Sequence, residues 1–269
     1  MRLEIIYFSG TGNTWWVVKR LAEKLHAGGA ETRLVPFETR EREEVPSPDA
    51  DIFGVAFPCF GTGAPYNVDK FLHELPQGRG RKCFVLTSYA LYNGSTAWDA
   101  VRVMKDRGYE PVLAGGVKMP MNIWLPGIKV WPIPKPARAE AIKKQALPAV
   151  ERAADWLMEG KRVFLRRDPL NHLISRGQYM FYHTIMPYVN RSWSVDENCT
   201  RCGLCESICP RKNIEVTPDG VRFKGWCMLC VRCYSFCPEQ AIQFAGKTRD
   251  YYRYPGVGDG YKPQVVEYA

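Results

Sequence analysis

Short apolar runs alternate with helical patterns over residues 1–117. The runs are almost continuously hydrophobic, which is typical of strands buried on both faces of a parallel sheet. The helical patterns repeat apolar residues every three or four positions, as Val17, Leu21 and Leu25 do ahead of Gly28. This alternation predicts an α/β fold with a doubly wound parallel sheet. The predicted strands are 3–8, 32–36, 51–57, 82–87 and 111–117.

The rest of the chain is less regular. Helices are predicted at 68–75 and 96–107, and a longer one carries apolar residues from Ile142 to Leu157, with Pro148 expected to bend it. Residues 118–136, rich in Pro, Trp and Met, predict an irregular loop, and the aromatic and basic residues 161–195 are interpreted as part of a connector. The predicted divisions are a first domain at 1–158, the connector at 159–195, a cysteine-rich module at 196–245 and a tyrosine-rich tail at 246–269.

Eight of the ten cysteines form a repeated motif in the cysteine-rich module. The pattern Cys-x-x-Cys-x-x-Cys-x-x-x-Cys-Pro begins at Cys199 and again at Cys227. Three thiolates at this spacing can hold one face of an iron–sulfur cubane. Structural zinc is the alternative, but zinc sites are usually built from two Cys-x-x-Cys pairs or from Cys with His. Zinc explains neither the run of three cysteines nor the Cys-Pro ends, so the pattern predicts [4Fe-4S] clusters.

The module resembles bacterial two-cluster ferredoxins over its whole length. That resemblance implies a small α+β domain with two [4Fe-4S] clusters, in which the fourth cysteine of each motif ligates the other cluster. One implied ligand set is Cys199, Cys202, Cys205 and Cys237. The other implied set is Cys227, Cys230, Cys233 and Cys209.

A loop of glycines and hydroxyl residues joins the first predicted strand to the first helix. Such a loop offers backbone N–H groups and the positive end of the helix dipole to a phosphate. A P-loop would require a lysine that is absent here, and a dinucleotide fingerprint would require glycine where Trp15 stands. A tight turn without a ligand is the remaining alternative. The loop consists of Ser9, Gly10, Thr11, Gly12, Asn13 and Thr14.

This loop resembles the phosphate-binding loop of flavodoxins, which bind FMN. The resemblance implies the strand order 2-1-3-4-5 and flavin contacts after the third and fourth strands, at the carboxyl edge where open α/β sheets bind ligands. Phe60, Tyr89 or Tyr92 could cover the flavin ring, and the sequence does not choose among them. The implied contacts in these two loops are Pro58, Cys59, Phe60, Gly61, Thr62, Gly63, Ser88, Tyr89, Asn93 and Gly94.

As a whole the chain resembles fusions of a flavodoxin-like domain with a two-cluster ferredoxin module. This implies an electron-transfer protein that relays electrons between FMN and the clusters, and on to or from redox partner proteins. No acid, base or nucleophile constellation predicts a catalytic residue. Two alternatives stay open: a flavin-dependent reductase acting on a small substrate, and a ferredoxin whose first domain is a flavin-free docking module.

Net charge and targeting signals limit the partners and the cellular compartment that we expect for this protein. Two clusters and a flavin phosphate would lower the formal net charge of +9 to about +3, which favours cofactor compensation over nucleic-acid binding. No signal-peptide pattern is present, and no apolar run approaches the roughly 18 to 20 residues of a membrane span, so we expect a cytoplasmic protein. The basic connector is interpreted as a solvated face. A further hypothesis is that it docks an acidic redox partner, in which case added salt would weaken the complex. Its charged residues include Arg162, Arg166, Arg167, Asp168, Arg176 and Arg191.

Overall fold

The computed structural model describes residues 1–42, 44–127, 132–164 and 169–265. A parallel sheet of six strands takes five strands from the first domain and its last, short strand from the segment interpreted as a connector, and numbered along the chain its order is 2-1-3-4-5-6. The predicted order 2-1-3-4-5 is confirmed, and a short sixth strand is added at one edge. The strands are β1 (Arg2–Tyr7), β2 (Glu31–Pro36), β3 (Ile52–Pro58), β4 (Lys82–Tyr89), β5 (Glu110–Lys118) and β6 (Val163–Phe164).

Helices cover both faces of this sheet. Successive residues of a strand point to opposite faces, so Ile5 and Ile6 of β1 are both fully buried yet belong to different apolar clusters. One apolar cluster is completed by the helices at 13–27 and 136–158, and the other by the helices at 66–74 and 96–106. Because both faces of the sheet are covered, the strands are continuously apolar in sequence. These helices are α1 (Asn13–Ala27), α2 (Tyr66–Glu74), α3 (Thr96–Asp106) and α4 (Pro136–Met158), and a short 3-10 helix lies at Phe37–Arg42.

The segment interpreted as a connector contains a long helix that the sequence pattern did not predict. This helix, α5 (Pro169–Arg191), carries Gly177 and Pro187 in its interior, and both residues obscure a helical signal. The following strand, β7 (Trp193–Val195), pairs antiparallel with β10 (Ile242–Phe244). Arg166, Arg167 and Asp168 lie outside the described residues.

The cysteine-rich module is small and has two short antiparallel pairs of strands. Besides β7 and β10 it contains the hairpin of β8 (Ile214–Thr217) and β9 (Gly220–Phe223). Two short helices, α6 (Leu204–Ser207) and α7 (Arg232–Phe236), follow the second cysteine of each motif. Among the described residues, no helix combines the length and the apolar character needed to cross a bilayer.

The tyrosine-rich tail returns to the first domain. The backbone N–H of Val257 donates to the Thr11 carbonyl at 3.0 Å, and the Tyr261 hydroxyl donates to the Ser9 carbonyl at 2.8 Å. The buried Tyr254 hydroxyl donates to Asn13 Oδ1 at 3.0 Å. The tail therefore contacts the glycine loop through three hydrogen bonds.

Candidate redox centres

A cavity of about 250 Å³ opens at the carboxyl edge of the parallel sheet. We call it the sheet-edge cavity. It lies among the loops that follow β1, β3, β4 and β5, with α5 as a further wall. The structure thus brings together the three loops in which flavin contacts are predicted. The predicted residues that line it are Ser9, Gly10, Thr11, Asn13, Thr14, Pro58, Cys59, Phe60, Gly61, Thr62, Ser88 and Tyr89.

Four predicted residues lie outside the lining. Gly12 has φ of 99°, and a Cβ there would come within 2.5 Å of Val257, so the tail requires this glycine. Gly63 packs against Tyr179. Asn93 is buried behind the cavity, where its Oδ1 accepts a hydrogen bond from Thr87 at 2.6 Å. Gly94 is close to Ser175 and Thr62, with a positive φ of 54°.

Hydroxyl groups of the glycine loop are fixed in place by their neighbours. Ser9 Oγ accepts the N–H groups of Gly12 at 3.1 Å and Trp15 at 3.3 Å, which ties the loop to the first turn of α1. The hydroxyls of Thr14 and Ser88 are 2.8 Å apart, and Asn122 Nδ2 donates to Thr11 Oγ1 at 2.8 Å. The result is a preorganised set of buried hydroxyls beside the positive end of a helix dipole.

The sheet-edge cavity fits a flavin mononucleotide in its donor chemistry. Hydroxyl and amide groups line the end formed by the glycine loop, whereas Leu91, Tyr92, Met119 and Tyr182 contribute apolar and aromatic surface elsewhere. The residues that line it include no Asp or Glu, which would repel a phosphate. A phosphate at the glycine loop and a flat aromatic ring against the apolar wall match this division.

Sequence reasoning missed three parts of this lining: the loop after β5, helix α5, and Leu229 of the cysteine-rich module. Tyr182 of α5 packs so closely on Gly61 that a Cβ there would lie 2.4 Å from the tyrosine Cβ. The Tyr182 hydroxyl donates to the Met228 carbonyl at 2.9 Å, and burial raises its pKa, so it remains a donor at neutral pH. The aromatic content of the supposed connector was the available signal. The missed residues are Met119, Pro120, Met121, Asn122, Ile123, Gln178, Phe181, Tyr182, Ile185 and Leu229.

The eight cysteines of the repeated motif surround two separate cavities. Each cavity combines three cysteines of one motif with the fourth cysteine of the other. Within the described residues, no three His, Cys, Asp or Glu side chains form a group that could hold a single metal ion. The distal thiol cavity is lined by Cys199, Cys202, Cys205 and Cys237. The proximal thiol cavity is lined by Cys209, Cys227, Cys230 and Cys233.

The loops around the proximal thiol cavity are shaped to present sulfur atoms and amides together. The N–H of Asn213 donates to Cys209 Sγ at 3.3 Å, and the N–H of Leu229 donates to Cys227 Sγ at 3.2 Å. Val231 adopts φ of 52°, a conformation that costs a β-branched residue about 1–3 kcal/mol and that clusters at functional sites. Eight thiols, of which Cys209 and Cys227 accept backbone N–H groups, have the chemistry that iron–sulfur clusters require.

Burial raises the pKa of several of these thiols. It brings the pKa of Cys230 to about 11 and that of Cys227 to about 12. Burial likewise raises the pKa of Cys205 to about 12. Metal binding requires thiolates, so loading the sites with clusters must release protons.

The proximal thiol cavity lies directly against the glycine loop. A Cβ on Gly10 would be only 2.6 Å from the Cys230 carbonyl oxygen, and Leu229 lines the sheet-edge cavity. Between them, the fully buried Arg232 donates from one guanidinium nitrogen to the Ser9 carbonyl and to Glu38 Oε1, each at 2.6 Å. Its other terminal nitrogen donates to the Ile208 carbonyl at 3.1 Å. The two candidate sites therefore share one buried wall.

Comparison with known proteins agrees with this geometry for the cysteine-rich module. A family model described as a 4Fe-4S binding domain matches residues 196–212 and 224–249. The polyferredoxin protein MvhB of Methanothermobacter thermautotrophicus is 40% identical over 47 residues, which is 18% of this chain. The match spans only 11% of that polyferredoxin's length.

The first domain has its own relative. The flavodoxin of Megasphaera elsdenii is 32% identical over 99 residues, which cover 36% of this chain and 69% of that flavodoxin. The chain belongs to the flavodoxin family. The solution structure of the two-electron reduced M. elsdenii flavodoxin covers 57% of this chain and 98% of its own, with 25% identity and a TM-score of 0.40. A flavodoxin-like domain is thus fused to a 4Fe-4S ferredoxin domain, and these are the features of an electron-transfer protein.

Proposed function

We propose that this flavodoxin-family chain relays electrons between FMN in the sheet-edge cavity and two [4Fe-4S] clusters, and on to or from a redox partner protein. The single observation that carries the proposal is the contact between Gly10 of the glycine loop and Cys230 of the proximal thiol cavity. A cluster held by Cys230 would lie beside the loop that receives the flavin phosphate. The order of carriers would be FMN, proximal cluster, distal cluster.

The residues of the chain have distinct roles in this proposal. When bound, FMN exchanges electrons singly or in pairs, whereas each cluster exchanges one at a time. Ser9, Thr11 and Thr14 would supply hydroxyls for the phosphate, and the apolar wall with Tyr182 would position the ring and exclude water. The eight motif cysteines would hold the clusters in the crossed sets that line the two thiol cavities.

The distal thiol cavity would be the exchange point with a partner protein. Its second cysteine, Cys202, is exposed, whereas the corresponding Cys230 of the proximal cavity is buried. An electron therefore reaches the surface most directly at the distal end. We place the chain in the cytoplasm, because eight cysteines arranged as cluster ligands rather than as a disulfide framework suit a reducing compartment.

Laser-flash reduction of the flavin in the anaerobically purified holoprotein tests the relay. We expect about eight irons and one FMN per chain, and cluster bleaching at a rate that does not change with protein concentration. Bleaching that accelerates in proportion to protein concentration would show transfer between molecules and contradict the relay. A holoprotein with its irons but without flavin, even after FMN is added, would instead indicate a docking domain.

A second candidate, a flavin-dependent reductase of a small substrate, is favoured by the loop after β5. Met119, Met121 and Ile123 line the sheet-edge cavity, so substrate could reach the flavin beside them. A reductase would reduce a small acceptor such as menadione at a rate that does not depend on the distal cluster. The relay requires that cluster for transfer to a protein partner.

A further inference from the structure

Helix α5 exposes a row of large apolar side chains to solvent. Ile174, Phe181 and Tyr188 are spaced seven residues apart, and Leu173 and Met180 lie beside them. Leu173 is 68% exposed and Met180 is 62% exposed. We call these five residues the outer stripe. At about 1.5 Å per residue it runs for about 22 Å along one side of the helix.

A different side of α5 faces the protein. Ser175, Tyr182 and Val189 follow the same seven-residue spacing, and Ser175 and Val189 are buried. Ser175 Oγ accepts the N–H of Ser95 at 3.0 Å, and Tyr182 reaches Met228. The helix is therefore anchored by one side, and the outer stripe is not the side that forms the core. An exposed apolar surface of this extent marks a site of interaction with a protein or a membrane.

The charges carried by α5 itself are all positive. Helix α5 contains no Asp or Glu, and it carries Arg176 and Arg191, both exposed. By sequence, Asp168 is the single acid between residues 161 and 194, against Lys161 and five arginines. A helix with large apolar residues on one side and Lys or Arg nearby is suited to an anionic lipid surface.

We propose that α5 docks this protein on the surface of an anionic lipid bilayer. The outer stripe would enter the boundary between headgroups and acyl chains, and Arg176 and Arg191 would contact the anionic headgroups. Phe181 also lines the sheet-edge cavity, so docking would turn the mouth of that cavity toward the bilayer. The proposal does not depend on electron transfer, because it rests on the helix alone.

Two other occupants fit the observations less well. A second copy would bring two acid-free basic helices together, and like charges oppose that contact. A partner protein would need a groove for a single convex helix, and the centres of protein interfaces are enriched in Trp, Tyr and Arg rather than Leu. The outer stripe is mainly Leu, Ile, Met and Phe, whose side chains a bilayer accepts without a matching shape.

Flotation of the full-length holoprotein with lipid vesicles tests the proposal. We expect binding to vesicles of phosphatidylcholine mixed with phosphatidylglycerol, and weaker binding to pure phosphatidylcholine or at high salt. The double variant Leu173→Gln/Met180→Gln should lower the partition constant by roughly tenfold or more, because two apolar side chains no longer enter the lipid. Arg176→Gln should lower it by roughly fivefold.

Matched variants serve as controls. Met158→Gln makes the same change at an exposed methionine at the end of α4, and Arg102→Gln removes an exposed arginine of α3. Both should bind vesicles as the parent does, and all variants should keep their iron and flavin. Absent vesicle binding, or binding that the outer-stripe variants leave unchanged, would overturn the proposal. So would a dimer in sedimentation velocity that those variants dissociate, since the occupant would then be a second copy.

Discussion

The two cysteine motifs have the same spacing but different surroundings. Their second cysteines are the exposed Cys202 and the buried Cys230. At the position before the third cysteine, one motif has the half-buried Leu204 and the other has Arg232, which is fully buried and ion-paired with Glu38 at 2.6 Å. The proximal half is built into the wall of the first domain, whereas the distal half belongs to the surface.

This difference shows that the repeat sets the ligand positions and the surroundings set the role. Both halves present four thiols around a cavity. The proximal half in addition contributes Met228 and Cys230 to an apolar cluster of the first domain. A carrier in the proximal half would therefore exchange electrons inside the molecule, and a carrier in the distal half would exchange them with a partner.

Removing one ligand from each half gives the largest expected effect. Cys233→Ala should lower the iron content from about eight to about four per chain, because the proximal cluster loses a thiolate. Flash-reduced flavin should then fail to bleach the remaining cluster, since the intermediate carrier is gone. Iron analysis and flash photolysis of the same anaerobic sample measure both results.

Cys205→Ala is the matched variant in the distal half. It should also leave about four irons per chain, but flavin-to-cluster transfer should persist while transfer to a protein partner fails. If the two variants behave alike, the assignment of an inner and an outer carrier is wrong.

A smaller effect is expected at the Arg232–Glu38 ion pair. Arg232→Gln leaves the Glu38 carboxylate buried without its partner, which costs about 3–5 kcal/mol of the free energy of unfolding. Anaerobic urea unfolding measures this loss. Leu204→Gln makes the corresponding change in the distal motif and should cost less than about 1 kcal/mol, because Leu204 is only half-buried.

The reduction potential of the proximal cluster separates an electrostatic role of Arg232 from a purely structural one. A positive charge near a cluster favours its reduced, more negative form, so Arg232→Gln should lower that potential. Arg232→Gln/Glu38→Gln removes both charges and should recover much of the shift. An EPR-monitored titration in which the single and double variants give the same potential would contradict the electrostatic role.

The fold could be predicted from the sequence because its signals are local. The continuous apolar runs, such as the one that includes Ile5 and Ile6, predict buried parallel strands, and the confirmed order of the sheet follows from the family resemblance. The role of α5 as a cavity wall could not be predicted, since Gly177 and Pro187 obscure its helical signal.

Contacts between residues that lie far apart in the sequence could not be predicted either. Arg232 and Ser9 are separated by 223 positions, and nothing in either local sequence indicates that they meet. The same is true of the tail, which the sequence showed only as rich in tyrosine. Long-range hydrogen bonds of this kind depend on how the two domains pack, which no single motif encodes.

The smallest expected effect concerns the tail and the flavin. Tyr254→Phe removes the hydrogen bond to Asn13 Oδ1, a residue that lines the sheet-edge cavity. Such a bond contributes about 1 kcal/mol, so the Kd of FMN should rise by roughly fivefold at most as the glycine loop loosens. Burial raises the pKa of Tyr254, so the hydroxyl remains protonated and the effect should not vary near neutral pH.

Quenching of FMN fluorescence measures this Kd, and Tyr252→Phe is the control, because Tyr252 is an exposed tyrosine of the same tail. Both variants should keep their full iron content, since the Tyr254 hydroxyl bonds the glycine loop rather than a cysteine and Tyr252 is exposed. A rise in Kd for Tyr254→Phe alone would show that the tail helps to shape the flavin site. Equal Kd values for both variants and the parent would mean that the glycine loop holds its conformation without the Tyr254 hydrogen bond, and that its contacts with Val257, Tyr261 and Arg232 suffice to fix it.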